Sequence, residues 1–175
     1  MKIKIQNHQT SVCINPIVLQ TLTKTLMQRA HRLDREAHWQ QITIHLVDDG
    51  GIRSAHQAYF GKDTVTDVIS QRYMPLPRES GCTGEIIINA QQALRAKKSR
   101  RWSWQRELAL YLAHGIDHLH GSLDDTLSQQ QRMRRRGQRH LLLVRLESQR
   151  PGHPAAAFRL RLHLHAQPLQ QPKLG

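Results

Sequence analysis

Two histidines stand four residues apart in the segment LALYLAHGIDHLHGSLDD, and a carboxylate follows them after a glycine. In a helix, His114 and His118 lie one turn apart on the same face, where two imidazoles can share a metal ion. Gly121 can end the helix and turn the chain back, so that Asp124 reaches the same ion. Three protein ligands and an open fourth position are typical of catalytic zinc. The pattern predicts one divalent metal ion, most simply zinc, on these three residues.

Other residues of this segment have different expected roles. An apolar stripe on the opposite side of the helix is expected to face the core: Leu108, Leu112, Gly115, Ile116 and Leu119. His120 projects away from His114 and His118, so we exclude it as a ligand. Asp124 has a second interpretation, because Asp124 or Asp125 could instead cap a helix that begins at Thr126.

Positive charge is concentrated on both sides of this segment. The 175 residues include 26 Lys and Arg and 13 Asp and Glu, a formal net charge of +13. Residues 1–94 carry a net charge of +2, residues 95–145 carry +8, and residues 146–175 carry +3. The middle block holds two basic clusters: Arg95, Lys97, Lys98, Arg100 and Arg101, and Arg132, Arg134, Arg135, Arg136 and Arg139. Such a surface favours a polyanion such as RNA, with a solvated helix face as the alternative.

Composition excludes several classes of protein. With 38% hydrophobic residues the chain can bury a core, which argues against wholesale disorder. Its apolar runs fall short of the ~18 residues of a membrane span, and the start MKIKIQNHQT lacks the apolar stretch of a secretory signal. Cys13 and Cys82 lack metal-ligand spacing and are interpreted as reduced thiols. We therefore expect a cytoplasmic protein with no membrane partner.

Periodicity and turn signals predict an α+β fold in a single domain, with a small mixed sheet of about four strands packed with helices. Strands are predicted at 2–6, 41–47, 66–70 and 85–88, and helices at 15–32, 48–59, 89–98, 103–120 and 126–146. The metal-bearing helix is thus followed by a C-terminal helix. The domain covers residues 1–146, and the basic, Pro- and Ala-containing segment 147–175 is expected to be a mobile tail. Its FRLRLHLHA could form an edge strand, and its His163 and His165 are interpreted as incidental.

HGIDHLHGSLD, from His114 to Asp124, resembles the H-G-x-x-H-L-x-G-x-D-H motif of the YbeY family, bacterial metal-dependent endoribonucleases associated with ribosomal RNA maturation. Four further segments resemble the family in the same order, over most of residues 1–146: VDDGGIRSAHQAYFGKDTVTDVIS, TGEIIIN, WQRELALYLAHG and QRMRRRGQRHLL. The resemblance implies hydrolytic cleavage within single-stranded RNA, in maturation of the 16S rRNA 3′ end and ribosome quality control. It implies a ribosomal RNA precursor and the small ribosomal subunit as partners. His114 is then assigned the catalytic role through a metal-bound water, with no separate general base.

Three positions depart from the family's pattern. Asp124 stands where the family usually has His, which leaves +1 rather than +2 at a divalent ion, acidifies its bound water less and favours harder metals. Phe60, in AYFGKD, stands where the family commonly has an Arg that could contact phosphate, and Lys62 or Arg72 could substitute for it. Asp117 stands where the family tends to have an apolar residue. We expect it to face solvent, the alternative being a contact that supports His118.

Basic residues near these segments are the predicted RNA contacts: Lys62, Arg72, Arg95, Lys97, Lys98, Arg100 and Arg101. Two other functions stay open from the sequence. Phe60 and Asp124 would also suit a non-catalytic RNA- or ribosome-binding relative with a weakened metal site. A metal-dependent protease is disfavoured, because such enzymes place a Glu general base directly after the first His, where this chain has Gly115.

Overall fold

The computed structural model describes residues 1–75, 77–78, 80–100 and 103–147, and for residues 97–100 and 143–147 it describes the backbone alone. Within these residues the chain forms four strands and five helices in an α+β arrangement. The strands are β1 (Lys2–Asn7), β2 (Trp39–Val47), β3 (Val68–Tyr73) and β4 (Cys82–Asn89). The helices are α1 (Pro16–Ala30), α2 (Asp49–Phe60), α3 (Ala90–Arg100), α4 (Trp104–Leu119) and α5 (Leu127–Glu147).

The four strands form one mixed sheet in the order β1-β2-β4-β3. β1, β2 and β4 are parallel, and β3 pairs antiparallel with β4, with Val68 opposite Ile88 and Tyr73 opposite Thr83. β3 is therefore an edge strand whose start lies beside the end of β4. This sheet confirms the predicted fold class.

Helices cover both faces of the sheet. On one face α1 and α4 bury a common apolar core with β2 and β4: Leu19, Leu22, Leu26, Leu108, Leu112, Ile116, Ile42, Ile44, Leu46, Ile86 and Ile88. On the other face, Ile52 of α2 packs with Val47, Ile69 and Ile87. Because the predicted apolar stripe of α4 is buried against the sheet, the helix presents His114 and His118 on its other side.

Predicted caps position the helix starts. The Ser103 hydroxyl accepts a hydrogen bond from the Arg106 amide at 3.3 Å, and the Asn89 side chain accepts one from the Gln92 amide at 2.9 Å. Strand bounds differ more from prediction. β3 and β4 extend three residues beyond the predicted segments at their shared end, because backbone pairing continues through polar residues such as Gln71 and Arg72, which give no alternating signal.

The structure bears on two predictions, the state of the cysteines and the lack of a membrane-spanning segment. Cys13 is exposed and Cys82 is buried, and both are free thiols, as predicted. None of the helices in the described part of the chain combines the length and the apolar character needed to cross a membrane. Most of the predicted tail, with its candidate edge strand, His163 and His165, lies outside the described residues.

Candidate metal centre

The structure brings the three predicted ligands together. His114 Nε2 lies 3.2 Å from His118 Nε2, and the Asp124 Oδ2 atom lies 3.4 Å from the former and 3.7 Å from the latter. Tetrahedral zinc with bonds of ~2.0–2.2 Å holds its ligand atoms roughly 3.3–3.6 Å apart. The group could therefore hold a metal ion with little rearrangement, and its two nitrogens and one carboxylate oxygen are a zinc donor set.

Both imidazoles are prepared to offer Nε2. His118 Nδ1 lies 2.9 Å from the Ser122 carbonyl oxygen, so Nδ1 carries the proton and donates it there, which leaves the Nε2 lone pair free. Burial, and then the neighbouring His118, lower the pKa of His114, while the carboxylates of Asp67 and Asp124 partly oppose this shift. His114 is consequently neutral at pH 7, as a metal ligand must be.

The turn after α4 brings Asp124 back to the histidines. Gly121 has a φ of +79°, in the left-handed region, and its amide donates to the His118 carbonyl at 2.8 Å. The next helix is capped by Thr126, whose hydroxyl accepts a hydrogen bond from the Gln129 amide at 3.3 Å while the Gln129 side chain accepts from the Thr126 amide at 2.9 Å. The interpretation of Asp124 or Asp125 as that cap was therefore wrong, and the Asp124 carboxylate faces the histidines instead.

Asp117 does not face solvent, and that expectation was wrong. Its side chain is 1% exposed, and among the described residues neither carboxylate oxygen has a hydrogen-bond partner. Arg136 of α5 approaches to 3.5 Å from Oδ2. Burial raises the pKa of Asp117 to about 6, although Arg136 and His118 lower it in part. The helical angle could not show this, because α5 covers that side of α4.

His120 is excluded from the metal centre, as predicted. Its Nδ1 lies 2.9 Å from the Ile116 carbonyl oxygen, and its Nε2 accepts a hydrogen bond from the Trp39 indole at 3.2 Å. Burial lowers the pKa of this imidazole. Nδ1 is thus bonded to the backbone of α4 itself, and Nε2 ties the end of this helix to Trp39 of β2.

Two of the predicted RNA contacts are held by carboxylates. Arg72 donates to Asp34 at 2.6 Å and lies over the Trp39 ring, 5.2 Å from its centroid. Arg95 donates through both terminal nitrogens to Asp49, at 2.8 Å for the longer bond. These pairs raise the pKa of each guanidinium and lower the pKa of each carboxyl. Neither arginine presents an unpaired charge to a phosphate.

The remaining predicted contacts are less constrained. Lys62 is exposed in the turn after α2. Lys97, Lys98 and Arg100 lie on α3, of which only the backbone is described there, and Arg101 lies outside the described residues. Phe60, at the end of α2, is 50% exposed and contacts His56 edge to face, with ring centroids 5.6 Å apart. An exposed aromatic ring therefore stands at this position, with Lys62 two residues away.

Sequence reasoning missed three residues that support the centre. The Ser122 carbonyl accepts a hydrogen bond from His118 Nδ1, Arg136 contacts Asp117, and Asp67 lies near His114. Asp67 stands in the TDV segment, so its position at the start of a strand near the site was the available signal. Ser122 and Arg136 gave no signal, because their roles depend on how α5 packs on the turn.

The family model for endoribonuclease YbeY matches residues 4–144. The chain belongs to the YbeY family. Endoribonuclease YbeY of Moorella thermoacetica is 31% identical over 135 residues, which cover 72% of this chain and 86% of that protein. YbeY of Alkaliphilus oremlandii is 26% identical over 154 residues, covering 83% and 99% respectively.

A third relative matches over a shorter segment, and a solved structure shares the fold. YbeY of an Anaeromyxobacter species is 34% identical over 96 residues, 55% of this chain and about half of that protein's length. A solution structure from Thermotoga maritima shares the fold with a TM-score of 0.55 at 17% identity, covering 97% of this chain and 99% of that one. The YbeY match ends at residue 144, within α5, so it includes most of the sheet, His114, His118 and Asp124, and most of the last helix.

Proposed function

We propose that this YbeY protein is a metal-dependent endoribonuclease that cleaves single-stranded RNA. The observation that carries the proposal is the approach of His114 Nε2, His118 Nε2 and Asp124 Oδ2 to within 3.2–3.7 Å of one another. The names of the relatives supply the reaction class, since each is an endoribonuclease. Maturation of the 16S rRNA 3′ end and ribosome quality control, on the small subunit in the cytoplasm, are the role we propose within that class.

His114, His118 and Asp124 would hold one divalent ion, most simply zinc. When bound, such an ion supplies Lewis-acid stabilisation of a phosphoryl oxygen or an acidified water for attack. The chain's own contribution is to keep the His114 imidazole neutral, to fix the His118 tautomer through Ser122 and to add one negative charge through Asp124. We assign His114 its catalytic role as a ligand of the ion that would activate water, and we assign no separate general base.

RNA would be held by its backbone rather than by its sequence. The block 95–145 carries a net charge of +8, and phosphate contacts of this kind are not sequence-specific. Arg72 and Arg95 are paired with carboxylates, so we assign the phosphate contacts to Lys62, to Lys97, Lys98 and Arg100 of α3, and to the exposed arginines of α5. Phe60 offers an exposed ring rather than a guanidinium at the end of α2.

Cleavage of a labelled RNA tests the proposal. The purified full-length protein is stripped with a chelator, reloaded with zinc and incubated with a single-stranded oligonucleotide or the same sequence in a duplex. We expect internal cuts in the single strand with the reloaded protein, and no cuts in the duplex or with the stripped protein. Absence of cuts with stoichiometric zinc bound would contradict the proposed reaction.

The competing function is RNA or ribosome binding without cleavage. Phe60 and Asp124 favour it, because the first removes a cation and the second weakens the ion as a Lewis acid. Salt-sensitive RNA binding with no cut ends, in a protein that binds little zinc, would support this alternative. Sustained, zinc-dependent cleavage would exclude it.

A further inference from the structure

A buried ion pair lies beside the turn that carries the third proposed ligand. Asp117 of α4 is 1% exposed, and Arg136 of α5 is about one-third exposed, with 3.5 Å between the Arg136 terminal nitrogen and Asp117 Oδ2. A buried carboxylate with no hydrogen bond is costly, because it has lost its water without gaining a partner. Arg136 is the cation that compensates the buried Asp117 carboxylate, and keeping this carboxylate buried costs the protein stability.

The same Arg136 nitrogen also donates to the Ser122 hydroxyl at 3.0 Å. Ser122 is tied to α4 at two more points, because its amide donates to the Asp117 carbonyl at 3.0 Å and its carbonyl accepts from His118 Nδ1 at 2.9 Å. One arginine nitrogen thus links α5, α4 and the turn between His118 and Asp124.

We infer that Arg136 is a positioning residue of the metal centre. It fixes the Ser122 peptide, and through the Ser122 carbonyl it fixes the ring orientation and tautomer of His118. It also fixes the start of the turn that returns Asp124. The inference rests on the proposed metal site and goes beyond it, since the contacts of Arg136 are with Ser122 and Asp117 and not with any of the three proposed ligands. In the sequence Arg136 is one of five arginines that looked equally suited to phosphate.

Groups that orient a metal-binding histidine affect affinity although they never touch the metal. Losing such a partner typically costs about 10–100-fold in metal affinity or activity. Arg136→Met removes the donor and the charge while keeping an apolar stem of similar shape. Arg136→Lys keeps a cation with three donors, which one nitrogen can direct at both Ser122 and Asp117.

Zinc affinity, measured by competition with a chromophoric chelator on the full-length protein, tests the inference. We expect Arg136→Met to bind zinc about 10–100-fold more weakly than the unchanged protein. Arg136→Lys should lie closer to the unchanged protein. Arg135→Met, an exposed neighbour of the same charge on α5, is the matched control and should leave affinity unchanged. Cobalt loading adds a visible spectrum that should change with Arg136→Met alone.

Arg136→Met leaves Asp117 buried without its cation, so the variant could lose stability for that reason alone. The double variant Asp117→Asn with Arg136→Met removes the buried charge and should regain thermal stability, yet keep the weak zinc affinity. Equal zinc affinity of Arg136→Met and Arg135→Met would overturn the inference, as would full recovery of affinity in the double variant. Failure of the unchanged protein to bind zinc would instead overturn the proposed metal site and this inference with it.

Discussion

His118 uses its two ring nitrogens for different partners, and this division organises the candidate site. Nδ1 lies 2.9 Å from the Ser122 carbonyl oxygen, and Nε2 faces His114 and Asp124. A hydrogen bond at one nitrogen settles which nitrogen carries the lone pair. His118 therefore presents its Nε2 lone pair toward His114 and Asp124, in the tautomer that a metal ligand would need.

Phe60→Arg should strengthen binding of single-stranded RNA. Phe60 is half exposed at the end of α2, so a guanidinium there can reach a phosphate without loss of core packing. One added phosphate contact should make the slope of log affinity against log salt steeper by about 0.7. Fluorescence anisotropy titrations at several salt concentrations measure this slope.

Ile17→Arg is the control for that change. Ile17 is 71% exposed at the start of α1, so this substitution adds the same charge at another place on the surface. The control should raise affinity less and leave the slope nearly unchanged. Equal effects of the two substitutions would show that Phe60 does not lie on the RNA path.

At this scale the sequence predicted which three side chains come together, but it did not predict their surroundings. His114, His118 and Asp124 share a turn of helix and a short return, so local spacing was sufficient to bring them together. Asp117 and Arg136 meet across two helices, and the sequence does not show which of several arginines α5 turns inward. Arg72 and Arg95 looked like phosphate contacts because their partners, Asp34 and Asp49, are 38 and 46 residues away.

At the scale of elements, the turn after α4 depends on a left-handed glycine. Gly121→Ala should cost about 1–2 kcal/mol of stability, because an L-residue at a φ of +79° is strained. Since this turn returns Asp124, zinc affinity should fall as well. Thermal unfolding and zinc competition measure the two effects.

Gly61→Ala is the matched control for Gly121→Ala. Gly61 ends α2 with a φ of +67°, and a methyl group at either glycine meets nothing within 4 Å. We expect a similar loss of stability with unchanged zinc affinity. Equal loss of zinc affinity in both variants would argue that the turn at Gly121 has no special relation to the metal centre.

Two helical glycines differ in how closely they are packed: Gly115 of α4 faces the sheet, and Gly137 of α5 faces α4. A Cβ at Gly115 would lie 2.8 Å from Ile86 Cγ2 and 2.9 Å from Ser70 Oγ, whereas at Gly137 the nearest atoms are 3.7 Å away. Gly115→Ala should destabilise by about 1–3 kcal/mol through overpacking. Gly137→Ala should stabilise by about 0.5–1 kcal/mol, because alanine suits a helix interior better. A higher melting temperature for Gly115→Ala would contradict this packing.

Elements were predicted well where local signals agree. The caps at Asn89 and Ser103 and the alternation in β1 and β2 placed helices and strands near their observed bounds. The shared end of β3 and β4 was missed, because antiparallel pairing there carries polar residues that no periodicity marks. The sequence left a cap of α5 at Asp124 or Asp125 open as an alternative, because either residue type suits the position, and the hydrogen bonds between Thr126 and Gln129 show that Thr126 is the cap.

At the scale of the whole molecule, the charge of +13 divides between the YbeY domain and the segment beyond it. The family match ends at residue 144, and residues 148–175 include four basic residues and no acidic ones. A chain shortened to end at Glu147 should keep its melting temperature and zinc content. Its RNA affinity should fall and become less salt-dependent, because fewer cations meet the phosphates. Loss of folding in the shortened chain would contradict the proposed domain boundary.

Zinc content and RNA cleavage in His118→Ala test the central claim most directly. The control variant is His8→Ala, because His8 is exposed and lies far from His118 in the sequence. The unchanged protein and both variants are purified alike, loaded with zinc, assayed for bound metal and incubated with a single-stranded RNA. We predict one zinc per chain and internal cleavage in the unchanged protein and in His8→Ala, with both lost in His118→Ala. Retention of zinc and cleavage by His118→Ala would contradict the assignment of the metal centre.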